Sequence, residues 1–260
     1  MSAPLPDRTA IVSRLRAAGC VFAEDEADLL MSSAGRPDDL EATVARRIEG
    51  LPLEHVLGWA DFFGVRITLD PGVFVPRPRT ELLVRWAVAL AGRPEATVVD
   101  LCCGSGAVGA AIAASTEHIR LFAADIDPVS VACARRNLEP FGGQVFQGDL
   151  FAPLPADLRG RVDVLVANVP YVPTDAIGLL PAEARLHEPR LALDGGSDGL
   201  DVLRRVAAET PGWLAPHGHF LVETSERQAA TATAILERAG LTPRVVRDEE
   251  LDATAVIGDL

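Results

Sequence analysis

The chain has 260 residues, 48% of them apolar, with 24 basic and 37 acidic side chains and a formal net charge of −13. That length holds one large domain plus a small one, and that composition supports a substantial core. The acidity argues against a nucleic-acid partner, whose phosphates are met by Lys and Arg, and no apolar run approaches the roughly 18 residues of a membrane span.

The N-terminus is polar and broken by Pro4 and Pro6, unlike a signal peptide. Cys20, Cys102, Cys103 and Cys133 lack paired chelating spacing, so a reduced, cytoplasmic protein without a metal site is expected. The first fifty residues read as helical. Ile11, Leu15 and Ala18 share one face before Gly19, while Ala27, Leu30, Met31 and Ala34 share another. Leu40, Val44, Ile48 and Leu51 continue the helical spacing. Residues 59–69 alternate as a short hairpin around Gly64, and Pro71, Pro76 and Pro78 stiffen the link to a helix at 80–91. Strands follow at 97–101, 120–125, 144–147 and 162–167, with helices at 106–115 and 128–138. After an irregular stretch come a helix at 199–214, a strand at 218–224, a helix at 226–239, and strands near 243–247 and 254–258. This alternation predicts an α/β fold with a doubly wound parallel sheet. The expected division is a small helical domain at 1–58, a hairpin and linker at 59–79, and the main domain at 80–260.

Four strand ends carry chemistry. The run Thr97-Val98-Val99-Asp100-Leu101 enters Cys102-Cys103-Gly104-Ser105-Gly106, and an alanine-rich helix leaves it. Glycines let a backbone approach a ligand closely, and a helix N-terminus offers unpaired N–H groups. The spacing fits neither Gly-x-Gly-x-x-Gly nor a Walker loop, and the two cysteines read as small residues packed around it. The second strand ends at Asp125-Ile126-Asp127, a carboxylate suited to ribose hydroxyls. The third ends at Asp149-Leu150, and the fourth at Asn168-Val169-Pro170-Tyr171. There the Asn168 amide oxygen and the Val169 carbonyl form a pair of acceptors for a planar NH2 group, an amide or the exocyclic amine of a base. Tyr171 would wall the pocket. Ligands of open α/β sheets collect outside the carboxyl ends of strands, so the four ends read as one crevice. His55, His187, His217 and His219 have no partner pattern and receive no role. Asp194 and Asp198 are expected to cap the helix that follows, and Glu81 to support the pocket.

Together these stretches resemble the HemK-type protein-(glutamine-N5) methyltransferases. The resemblance runs from about residue 51 to about residue 227. It is carried by Pro52-Leu53-Glu54-His55-Val56-Leu57-Gly58, Pro71-Gly72-Val73-Phe74-Val75-Pro76-Arg77-Pro78, Thr80-Glu81-Leu82-Leu83-Val84, the glycine loop, Asp125 and the Asn168–Tyr171 turn. Glu188-Pro189 and the run from Leu193 to Asp201 also match. The resemblance implies a Rossmann-like class I S-adenosylmethionine-dependent methyltransferase fold, that cofactor, and methyl transfer to a glutamine side-chain amide of a peptide-chain release factor. It implies that Asn168, Val169, Pro170 and Tyr171 are catalytic. It implies a cofactor site of Asp100, Cys102, Cys103, Gly104, Ser105, Gly106, Asp125, Ile126, Asp149, Leu150 and Asn168. Gly104, Ser105 and Gly106 would take the amino-acid end, Asp125 the ribose and Asp149 the adenine side. The chain departs from the family pattern at Val169 (first proline of Asn-Pro-Pro-Tyr), Cys102 (first loop glycine), Arg79 (usually acidic) and Leu150 (often aromatic). Other acceptors suit the same turn: a small molecule or peptide of specialised metabolism, or an adenine amine on nucleic acid, against which the acidity argues. A non-catalytic protein that kept the cofactor fold is a further reading. A monomer is expected, with the helical domain docking the substrate protein.

Overall fold

A computed structural model describes residues 7–260; Pro4 and Pro6 lie outside the described residues. Helices α1 (Arg8–Ala17), α2 (Ala23–Ser33), α3 (Pro37–Ile48) and α4 (Leu53–Leu57) form a bundle with its own apolar centre of Ile11, Leu15, Ala27, Leu30, Leu40 and Val44. Ala18 is not part of it. The helix ends at Ala17, Ala18 turns outward, and Val12 takes the buried place instead. The hairpin β1 (Trp59–Phe62) and β2 (Val65–Thr68) turns through Phe63 at φ +51° and Gly64 at φ +76°. Two left-handed residues in a two-residue loop match the right-handed twist of the strands.

The remaining chain builds one seven-stranded sheet with helices on both faces. Its elements are α5 (Glu81–Leu90), β3 (Thr97–Leu101), α6 (Ala107–Ser115), β4 (Arg120–Asp125), α7 (Pro128–Leu138), β5 (Gln144–Gln147) and β6 (Val162–Ala167). They continue with α8 (Ala182–His187), α9 (Arg190–Leu193), α10 (Asp201–Glu209), β7 (Leu214–Thr224), α11 (Ala229–Arg238), β8 (Thr242–Asp248) and β9 (Ala253–Asp259). The strand order is β5-β4-β3-β6-β7-β9-β8. Chain direction across the sheet reverses between β3 and β6, where a crevice opens at the strand ends. Leu83, Val84, Ala110, Ile112 and Leu138 cover one face with α5–α7, and Leu203, Val206, Ile235 and Leu236 cover the other with α10 and α11.

The sheet is not wholly parallel. β9 runs antiparallel to both β7 and β8. No crossover helix separates β8 from β9: Asp248 Oδ1 accepts from the N–H groups of Glu250 and Leu251, and the tight turn sends the chain straight back. Parallel pairing needs a crossover of a dozen residues or more, so β9 inserts beside β7 in the opposite sense. The helix expected at 199–214 is also shorter, because Pro211 and Gly212 end it in a 3-10 turn and Leu214 already belongs to β7.

Candidate functional site

At the carboxyl ends of β3, β4, β5 and β6 lies a cavity of about 610 Å³. Asp100, Cys102, Cys103, Gly104, Ser105, Asp125, Ile126, Asp149, Leu150, Asn168, Val169, Pro170 and Tyr171 all line it. Gly106 does not. A Cβ there would meet Ala134 Cβ at 3.2 Å and Leu138, so this glycine, at φ +78°, lets the start of α6 approach α7 rather than a ligand. Gly104 is the opposite case: at φ +55° it has nothing within 4 Å of a built Cβ, and its backbone borders open space.

The loop is organised by two carboxylates. Asp125 accepts from Gly104 N at 2.8 Å through Oδ2 and from Asp127 N at 2.9 Å through Oδ1. A carboxylate has about four acceptor positions, so two remain for a ligand. Burial pushes the Asp125 carboxyl up, and the N–H groups of Asp127 and Gly104 oppose that. Asp100, at the end of β3, accepts from Gly109 N at 3.0 Å and is fully enclosed. Burial pushes its carboxyl up to about 7, with the Gly109 N–H lowering it and the charge of Asp125 raising it. Asp149 is half exposed and paired with Arg205 of α10 at 2.6 Å. Ile126, 47% exposed, is a large apolar side chain left open on the cavity wall.

The opposite end of the cavity is built by the turn after β6. Asn168 Nδ2 donates to Thr80 Oγ1 at 3.2 Å. Thr80 is buried at the start of α5, and its hydroxyl also bears on the carboxyl of Glu223 on β7. With its nitrogen turned to Thr80, Asn168 has its oxygen left for the cavity. Tyr171 Oη donates to Glu223 Oε1 at 2.9 Å, and Arg79 Nε stands 3.8 Å from the same oxygen. Glu223 is enclosed. Burial raises its pKa against the lowering effects of Thr80, Tyr171, Arg79 and Arg77.

Residues 172–193 form the outer wall, contributing Leu180, Glu183, Ala184 and Leu191. Two ion pairs tie this wall down. Glu188 accepts from Arg77 and, at 3.3 Å, from Val75 N in the linker. Glu183 pairs at 2.7 Å with Arg47 of α3, which also holds the buried Glu26 of α2 at 2.6 Å. His55 is a structural link: its Nε2 meets the Val73 carbonyl at 2.8 Å. Neither expected cap forms: Asp198 accepts from Leu200 N, ahead of the first turn of α10, and pairs with Arg204, while Asp194 accepts from Thr174 Oγ1 and Gly196 N. Glu81 is absent from the cavity lining and faces Arg85.

Residues 64–196 match the family profile described as Methyltransferase small domain. A release factor glutamine methyltransferase of Geobacter sulfurreducens is 39% identical over 209 residues, spanning 78% of this chain and 72% of that protein. This chain belongs to the release factor glutamine methyltransferase family. A member from Moorella thermoacetica is 35% identical over 226 residues, spanning 85% of this chain and 77% of its own length. The fold recurs in a solved methyltransferase from Pyrococcus furiosus, with a TM-score of 0.56 at 15% identity, over 84% of this chain and 96% of that one.

Against the family pattern, Cys102 takes a glycine position at φ +54°, and Leu150 stands at φ +49°. Sequence reasoning missed Thr80, Arg205, Glu223 and Gln228, which hold cavity residues from the turn before α5, from α10, from β7 and from the turn before α11. Thr80 and Glu81 are adjacent in sequence, but only the fold turns the threonine, not the glutamate, toward Asn168.

Proposed function

We infer that this protein transfers a methyl group from S-adenosylmethionine to the side-chain amide of a glutamine in a peptide-chain release factor. The observation that carries the reading is Asn168. Its amide nitrogen is held by Thr80, which leaves its oxygen for the cavity that Val169 also lines. An amide nitrogen is a poor nucleophile because its lone pair is delocalised. Two acceptors that each take one of its N–H groups orient it and favour the pyramidal form that develops in the transition state.

The cavity fits the cofactor. Asp125 keeps acceptor capacity for a ribose diol, Ile126 offers an apolar face for a base, and the enclosed Asp100 complements a cationic ligand. When bound, S-adenosylmethionine supplies an electrophilic sulfonium methyl. The chain's own part is to bind, orient and exclude water: Gly104 and Ser105 border the amino-acid end, Asp149 with Arg205 the adenine side, and Tyr171 walls the acceptor end. No strong base is needed before attack, because the nitrogen becomes acidic once methylated.

A macromolecular acceptor is supported by Leu179, Leu186 and Leu191, which are 86%, 64% and 55% exposed along the outer wall. The helical bundle of α1–α4 is latched to that wall through Arg47, which supports reading it as the surface that docks the substrate protein. We further take the enzyme to act as a monomer and without nucleic acid. Among the described residues no helix is long and apolar enough to cross a membrane. The test is methyl transfer from labelled cofactor to a purified release factor. Asn168→Ala should bind the cofactor within a few-fold of wild type and lose turnover by about a hundred- to a thousandfold. Near wild-type turnover in that variant would rule out the two-acceptor arrangement.

A further inference from the structure

The loop Leu193–Leu200 is pressed directly onto the backbone of the Asn168–Tyr171 turn. A Cβ on Gly195 would lie 2.5 Å from the Pro170 carbonyl oxygen, and one on Gly199 would lie 2.2 Å from that of Tyr171. Short backbone bonds join the two layers: Val172 N donates to Leu193 O at 3.0 Å, Gly195 N to Val172 O at 2.9 Å, and Thr174 N to Gly196 O at 2.9 Å. The carbonyls of Pro170, Tyr171 and Val172 therefore face the loop. Val169 O takes part in no such bond among the described residues.

One side chain crosses both layers. Gln228, just before α11, donates through Nε2 to Tyr171 O at 2.9 Å and to Asp198 O at 2.9 Å. Its own oxygen accepts from Ser225 Oγ at 2.6 Å, which fixes the amide with its NH2 group toward the two carbonyls. Gln228 does not line the cavity. Its Nε2 holds two backbone carbonyls, and its oxygen is held by the Ser225 hydroxyl.

We propose that Gln228 is a positioning residue for methyl transfer, stapling the glycine loop to the Asn168–Tyr171 turn so that the Val169 carbonyl stays turned toward the acceptor amide. The inference rests on the acceptor role given above to Asn168 and Val169. The Tyr171 carbonyl lies two peptide planes beyond that of Val169, with the fixed φ of Pro170 between them, so pinning it anchors the far end of the turn and limits how far the Val169 carbonyl can rotate. Releasing the staple lets the Val169 carbonyl swing by a fraction of an ångström to an ångström, a misplacement that can cost about a hundredfold in rate. Nothing in this device touches the Asp125 end of the cavity.

The experiment uses the full-length enzyme, a purified release factor and S-adenosylmethionine. Gln228→Met keeps the shape and removes the donors; Gln228→Lys restores donors to the two carbonyls; Ser225→Ala frees the amide to turn over. Expected are a kcat loss of roughly ten- to a hundredfold for Gln228→Met, a few-fold loss for Ser225→Ala, and recovery to within a few-fold of wild type for Gln228→Lys. Cofactor affinity by calorimetry should stay within about threefold in all three, and amide exchange should rise in residues 168–174 of Gln228→Met but not in 102–109. The proposal is overturned by wild-type kcat in Gln228→Met, by a Lys variant as slow as the Met variant, or by cofactor affinity falling in step with kcat. If wild type leaves the release factor unmethylated, the acceptor reading fails, and unchanged exchange in 168–174 then removes the staple as well.

Discussion

Cys102 occupies a left-handed backbone position, φ +54°, at the bend between β3 and the glycine loop. An L residue there costs roughly 1–2 kcal/mol that glycine does not. The usual ranking of alanine over glycine should therefore invert. Cys102→Gly is expected to be more stable than Cys102→Ala by about 1 kcal/mol in urea denaturation of the cofactor-free protein. Equal midpoints for the two variants would show that the loop relaxes around the side chain. At this scale the sequence was informative wherever a polar residue ended an apolar run. Asp100, Asp125, Asp149 and Asn168 lie at or just after the carboxyl ends of β3, β4, β5 and β6, and all four reach the cavity. It was silent on the partners that orient them, because Thr80 lies 88 residues from Asn168, and Glu223 lies 52 from Tyr171. Only sheet order brings such pairs together. Gly106 misled for a related reason: a glycine needed for helix packing and one needed for ligand approach look alike in a string of letters.

Between elements, the wall at 172–193 had no periodicity to read, and its structure consists of one 3-10 segment and two short helices. What holds it is ionic and distant. Arg47 is 6% exposed and serves Glu26 inside the bundle and Glu183 on the wall. Burial works against the Arg47 cation, but the hydrogen bond and charge of Glu26, then the charge of Glu183, hold its pKa above the ordinary value. These two pairs should behave differently. Removing one partner of a buried pair leaves an uncompensated charge, at about 3–5 kcal/mol, whereas a pair with an exposed carboxylate contributes less than about 1 kcal/mol. Arg47→Met should thus destabilise by about 3–5 kcal/mol, Glu183→Gln by under about 1 kcal/mol, and the double variant Arg47→Met with Glu26→Met should regain most of the loss. Denaturant midpoints of the three variants check this, and a double variant as unstable as Arg47→Met alone would contradict it. The antiparallel β9 was likewise invisible. Its apolar run resembles that of a buried parallel strand, and its direction follows only from the absence of a helix after β8.

Across the whole molecule, the net charge of −13 is not spread indifferently with respect to the site. Asp100, Asp125, Asp127 and Asp149 all line the cavity. A cationic cofactor entering among them should couple to their protons, and Asp100 is the group set to respond, with burial holding its carboxyl at about 7. In the unfolded chain an Asp titrates near pH 4. The empty fold therefore binds one more proton than the unfolded chain across the window from about pH 4 to about 7, and stability contributed by this group is present at the acid end and lost as pH rises toward 7. Cofactor binding has the opposite dependence. A neighbouring positive charge favours the ionised carboxylate, so binding releases the proton and tightens as pH rises. If the bound state holds the Asp100 pKa well below 6, affinity should rise by about tenfold between pH 6 and pH 8. An α-amino group on the ligand keeps its own proton over most of that window, with a pKa of about 7.7–8.0. Calorimetry in two buffers of different ionisation enthalpy reads both the affinity and the released proton. Asp100→Asn, which can still accept from Gly109 N, should flatten the profile without unmaking the loop. A wild-type affinity that is level from pH 6 to pH 8 would show that the sulfonium is not felt at Asp100, and would leave Asp125 and Asp149 as the carboxylates that meet its charge.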